Sequence, residues 1–165
     1  MKDETEQWIK KIEKMKKGEV DLSKDEDLSI ALMNLVSLEE HFYFTAMKTQ
    51  DQKYLDFLHS VRDIRKKLLE KIVKNPVGEE WCISKHLLAA SMRLYEVGCK
   101  ELSKKNNKEA NNYFQTAFDL WSLFFAINLK LVETKQLEKD LSKEDKNISK
   151  FSAVMKKIID CCKEW

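Results

Sequence analysis

Apolar residues recur at helical spacing along almost the whole chain. Leu28, Leu32, Leu35, Phe42 and Ala46 share one helical face, widened by Val36, Tyr43 and Met47. Asn34, Ser37, His41, Thr45 and Lys48 line the opposite side. A stripe of this period predicts an amphipathic helix from about 24 to 49. Ser23 stands where its N-cap belongs, and Asp25 and Glu26 supply first-turn acids that complement the dipole. Asp51 opens a second helix that runs to about Asn75, with Leu58, Val61, Ile64, Leu68 and Ile72 as its expected buried line. Asn75-Pro76-Val77-Gly78 is the clearest break in the chain. A further helix is predicted from Glu79 to about Lys104, ending in the polar corner Lys104-Lys105-Asn106-Asn107.

The next helix carries the densest apolar stretch. From Phe118 to Val132, eleven of the fifteen residues are apolar, and the helix can extend to Glu138. A helix apolar nearly all round is buried on most sides or meets a partner. The run is too short and too interrupted for a membrane span, which needs about 20 mostly apolar residues. Two shorter amphipathic segments flank this middle. Trp8, Ile9, Ile12 and Met15 mark a charged helix from Glu4 to Lys17, stopped by Gly18. Leu141-Ser142-Lys143-Glu144 opens a last one through Phe151, Val154, Met155, Ile158 and Ile159.

Short corners between long helices imply antiparallel neighbours. The pattern therefore predicts an all-α fold: an antiparallel up-down bundle of five to six helices in one domain, residues 1–165. Its central hairpin spans about 79–131, with 1–20 and 142–165 as accessory helices. Composition agrees, since 3 Gly and 1 Pro are too few for the many turns of an all-β domain. The 43% of hydrophobic residues can build a core under a surface that is 35% charged.

Charge narrows the function classes. Net charge is +2, from 30 basic and 28 acidic residues, so no global field draws the chain to nucleic acid or an anionic membrane. Arg62 to Lys74 holds six basic and two acidic residues, and Lys100 to Lys108 four and one. Both runs end helices, where cations complement the dipole. No aromatic residue interleaves them as a base-stacking platform. The N-terminal stretch lacks the apolar core of a secretory signal. Cys82, Cys99, Cys161 and Cys162 show no C-x-x-C spacing, so reduced thiols and a cytoplasmic setting are expected.

Gly98, Ala110, Phe114 and Ala117 stand at the spacing of the small and aromatic positions of a tetratricopeptide helical hairpin, and this stretch resembles one repeat of that family. The resemblance implies two closely approaching helices with Phe114 between them. It covers one repeat-length, whereas about three repeats are needed to bury a continuous solenoid core. The region is also similar to HEPN-type helical domains, many of which cleave RNA with an Arg followed four to six residues later by His. No His stands there after Arg62, Arg65 or Arg93, so the activity is not carried over.

Glu39 and Glu40 fall where the polar and apolar lines of their helix meet. A carboxylate at the border of a core needs a partner. A fold-back around Gln50 and Asp51 places Glu39 opposite Arg62 and Val36 opposite Arg65. A turn near Lys105 and Asn106 places Arg93 opposite Asp119. These six residues, Glu39, Glu40, Arg62, Arg65, Arg93 and Asp119, are the candidates for buried ion pairs or a polar pocket. A carboxylate-bridged diiron site needs two Glu-x-x-His pairs. None occurs, and Asp56 with His59 supplies the spacing only once, on a polar face. Glu79, Cys82 and His86 could offer three metal ligands from one helix. Structural zinc commonly takes two Cys/His pairs, so a small buried thiol beside a half-buried imidazole is expected instead, with no metal and no other cofactor.

The reading that follows is a non-enzymatic interaction or scaffold bundle that self-associates, with Phe118, Trp121 and Phe125 as interface candidates. The competing class is a bundle that binds a small molecule or metal, with or without catalysis. Its site lies between the helices predicted at 24–49, 51–75 and 79–104. RNA binding ranks third.

Overall fold

The structure is a computed structural model that describes residues 22–130. Four helices account for nearly all of them, with no strand among the described residues. They are α1 (Ser23–Thr49), α2 (Lys53–Ile72), α3 (Glu80–Ser103) and α4 (Asn107–Asn128). The predicted helices at 4–17 and 142–165 lie outside the described residues. None of the four is long and apolar enough to cross a membrane.

The corners follow from local chemistry. Gln50 closes α1 in the left-handed region, φ 56°, with its N–H bonded to the Ala46 carbonyl. Asp51 then accepts the Lys53 N–H at 3.0 Å and the Lys53 ammonium at 2.8 Å. Those bonds hold the Asp51 carboxyl below its usual pKa. The α2–α3 corner turns through Asn75 and Gly78, both at positive φ, on either side of Pro76. Lys105, at φ 61°, reverses the chain between α3 and α4.

The first and last corners make hairpins, α1/α2 and α3/α4, of which α3/α4 is the tighter. Ser84, Ser91 and Gly98 recur every seven residues on α3, and Ala110, Ala117 and Phe124 do the same on α4; all six are buried. A Cβ at Gly98 would lie 2.6 Å from Phe114 Cε1, so only glycine admits that ring. Ser91 Oγ donates to the Ala117 carbonyl at 2.7 Å, and Asn128 Nδ2 donates to Ser84 Oγ at 3.0 Å. Small residues facing each other let the two backbones come this close.

The shared core draws on all four helices: Leu32 and Met33 from α1, Leu69 and Ile72 from α2, Leu88 from α3, Phe124 and Phe125 from α4, closed by Val73. It gathers where α1 and α3 begin and α2 and α4 end. Trp121 Nε1 donates to Ser29 Oγ at 2.8 Å, satisfying the indole on α1. On α2 the expected buried line is kept at Ile72 and Leu68, which belong to or pack on the core, and fails at Ile64. Arg65 and Leu69 are buried, while Ile64 is 50% exposed. The helix has turned by about one residue, because Arg65 goes inward to meet a carboxylate on α1.

Candidate functional site

That carboxylate is Glu39. It lies on the line of Leu32, Leu35, Phe42 and Ala46, the face α1 presents to α2. Arg65 Nε donates to Glu39 Oε1 at 2.7 Å, and Nη2 donates to Oε2 at 3.4 Å. The Arg65 side chain is 3% exposed, so this pair is withdrawn from water. The sequence placed Arg62 opposite Glu39. The structure slides the pairing by three residues, nearly one turn, and leaves Arg62 exposed. Among the described residues every buried side-chain nitrogen and oxygen has a hydrogen-bond partner. The pair therefore aims no unfilled donor or acceptor at a ligand.

The second charged pair joins α3 to α1. Arg93 Nε meets Glu40 Oε2 at 3.0 Å, and Nη2 donates to Ser37 Oγ. Both side chains are about half exposed. The expected pair of Arg93 with Asp119 does not form. The two residues do stand at one level of the α3/α4 hairpin, as Ser84 with Asn128 and Gly98 with Phe114 confirm. Each lies two residues past a contact residue, Ser91 and Ala117 respectively. Two residues are about 200° of helical rotation, so Arg93 turns toward α1 and Asp119 away from α3. Asp119 accepts from Gln115 Nε2 at 2.8 Å.

Glu79, Cys82 and His86 are all exposed, on the side of α3 away from the core. The thiol and imidazole expected inside are outside, because Trp81, Ser84 and Leu88 take the inward face. Among the described residues no three His, Cys, Asp or Glu side chains are gathered as a metal would need. Asp56 and His59 are exposed as well, and His59 Nε2 lies 3.5 Å from Asp63. An open cleft of about 580 Å³ sits at the α2–α3 corner between Glu70, Val73, Lys74, Asn75, Pro76 and Trp81. None of the predicted site residues lines it.

Phe125 is 1% exposed, which removes it as an interface residue. It stacks edge-on against Trp121 and Phe124, each ring centroid 5.1 Å away. Phe118 and Trp121 are partly buried and pack on the same core. Among the described residues α4 packs chiefly on α3, and Phe124 and Phe125 also join the core shared with α1 and α2.

Exposed apolar side chains concentrate elsewhere, on the α1/α2 hairpin. Leu38, Phe57 and Ile64 are exposed, and Phe42 meets Phe57 at 5.6 Å between ring centroids. Tyr54 extends the cluster at 6.3 Å from Phe57. Helical spacing puts Leu38 and Phe42 on the side of α1 opposite Ser37 and Glu40, which reach α3. The strip therefore lies on the outer side of the hairpin, bordered on α2 by the exposed Lys67 and Lys71. Sequence reasoning missed it by assigning Ile64 to the interior. An Arg one residue beyond Ile64 and a Glu on the facing helix were the signals that could have corrected the phase.

Comparison with known proteins returns no match: no family model, no curated protein and no solved structure is significantly similar to this chain.

Proposed function

We propose that this chain is a non-enzymatic interaction or scaffold module of the cytoplasm that associates with a second copy of itself. The bundle is a single domain of five or six up-down helices, the segments at 4–17 and 142–165 completing the four described. The observation that carries the reading is the outer strip of Leu38, Phe42, Phe57 and Ile64. Contiguous exposed apolar surface on a small domain marks an interaction site, and aromatic residues are enriched in interface cores. A two-fold dimer is the commonest way for one strip to cover another of its kind. Its outward position also lets two copies meet without disturbing the core.

The buried Glu39–Arg65 pair is mutually satisfied, and the Glu40–Arg93 pair is open to water. The self-association tested is through α1 and α2, which replaces Phe118, Trp121 and Phe125 as the surface. Light scattering coupled to size exclusion gives a mass independent of shape. A mass that rises toward twice the chain's 19.5 kDa with concentration supports the reading. A monomer mass held to high micromolar concentration rejects it.

A further inference from the structure

The open cleft at the α2–α3 corner belongs neither to the ion pairs nor to the outer strip. Its volume of about 580 Å³ falls within the ~300–1,000 Å³ usual for small-molecule sites. Its apolar lining is built into the fold. Val73 is 3% exposed and part of the shared core, and Trp81 packs on that core from the first turn of α3. Pro76 adds a rigid ring. The corner itself is braced. Asn75 and Gly78 turn it at positive φ, and the buried Glu80 carboxylate accepts the Val77 N–H at 2.9 Å and the Lys130 ammonium.

The polar lining is Glu70, Lys74 and Asn75, all exposed. Glu70 and Lys74 stand four residues apart, yet among the described residues neither is in an ion pair. Trp81 Nε1 is unbonded among the described residues too, whereas Trp121 Nε1 has Ser29. Every buried side-chain nitrogen there is bonded, so this donor is open to solvent. One cleft thus offers a free carboxylate, a free ammonium and an apolar wall. A ligand of a single charge meets one attracting and one repelling group, and a zwitterion satisfies both. We infer that the cleft binds a free amino acid with an apolar or aromatic side chain. Its ammonium lies toward Glu70 and its carboxylate toward Lys74, the charge-assisted pairings available there. Its side chain packs on Val73, Pro76 and Trp81, where an aromatic ring gains from an offset or edge-on arrangement with the indole. The ligand is small and the charged groups are open to water, which sets the affinity on the order of 1 mM. None of the six lining residues belongs to the outer strip, so this site is independent of self-association.

The test follows the indole N–H signals of the full chain by nuclear magnetic resonance, with that of Trp81 assigned through Trp81→Phe. L-phenylalanine should move the Trp81 signal saturably. Two analogues separate the charges: phenethylamine lacks the carboxylate and hydrocinnamate lacks the ammonium. Each should bind about fivefold more weakly than L-phenylalanine, the loss of one exposed ion pair. Glu70→Gln should weaken phenethylamine and spare hydrocinnamate, and Lys74→Gln should do the reverse. Both positions are exposed, so neither substitution disturbs the core. The inference is overturned if L-phenylalanine gives no saturable shift of Trp81. It is overturned equally if either analogue binds as tightly as L-phenylalanine, which makes the site one for a single charge. An unchanged order of affinities in both variants overturns it as well.

Discussion

Two ion pairs built from the same residue types carry very different weight in this protein. Glu39–Arg65 is buried between α1 and α2, and Glu40–Arg93 is half exposed between α1 and α3. Removing one partner of a buried pair strands a desolvated charge and costs about 3–5 kcal/mol. An exposed pair is screened and contributes about 0–1 kcal/mol. Arg65→Ala should therefore lower the urea midpoint severely, while Arg93→Ala moves it little. The double variant Glu39→Leu with Arg65→Met, which removes both charges at similar volume, should recover much of the loss. Equal midpoints for Arg65→Ala and Arg93→Ala would show that burial does not separate the two pairs. This is also where sequence reasoning reached its limit. It recognised that a carboxylate at Glu39 needs a cation, but Arg62 and Arg65 lie one turn apart on α2, and the helical pattern alone does not choose between them.

At the scale of elements, the α3/α4 hairpin was the most legible part of the chain. Gly98, Ala110, Phe114 and Ala117 announced a close approach, and the structure has Phe114 in the space a Gly98 side chain would need. Alanine in place of glycine inside a helix normally gains about 1 kcal/mol. At Gly98 the clash removes that gain, so Gly98→Ala should be neutral or destabilising. In a Phe114→Leu background the same substitution should stabilise, and thermal melts of the four variants check the coupling. Additivity across that cycle would mean the ring yields freely. The levels within this hairpin were readable too, since Arg93 and Asp119 do share one; the faces were not, because level ignores the 100° step between successive residues. α2 was less legible. Its apolar stripe fits two phases one residue apart, and the buried Arg65 decides between them.

The junction of α3 and α4 adds a pH dependence. Burial opposes ionisation of Glu80, but hydrogen bonds from Lys130 and the Val77 N–H, with the Lys130 charge, outweigh it and hold the carboxyl below its ordinary 4.5. A folded pKa lowered in this way contributes stability above the ordinary carboxylate value, lost as pH falls through the folded one. The Tm of the wild type should exceed that of Glu80→Gln at neutral pH, with the gap closing on acidification below about 4.5. A gap that stays constant to the acid limit of folding would contradict the linkage.

For the whole molecule, the apolar run of α4 invited two readings from sequence, a central helix or an interface. Leu123 to Ile127 are all buried, which rules them out as an exposed surface, while among the described helices α4 packs chiefly on α3. What sequence could not show is the apolar strip left exposed on α1 and α2. Side chains that satisfy a helical stripe at one phase become surface at the next. That this strip joins two copies is checked by sedimentation equilibrium of the wild type beside Phe57→Lys with Ile64→Lys. Both positions are half exposed, so the pair of lysines should leave the helical circular dichroism intact. A concentration-dependent dimer is expected for the wild type and a monomer at every concentration for the variant. A wild-type monomer throughout, or a dimer of equal affinity in both proteins, would contradict it.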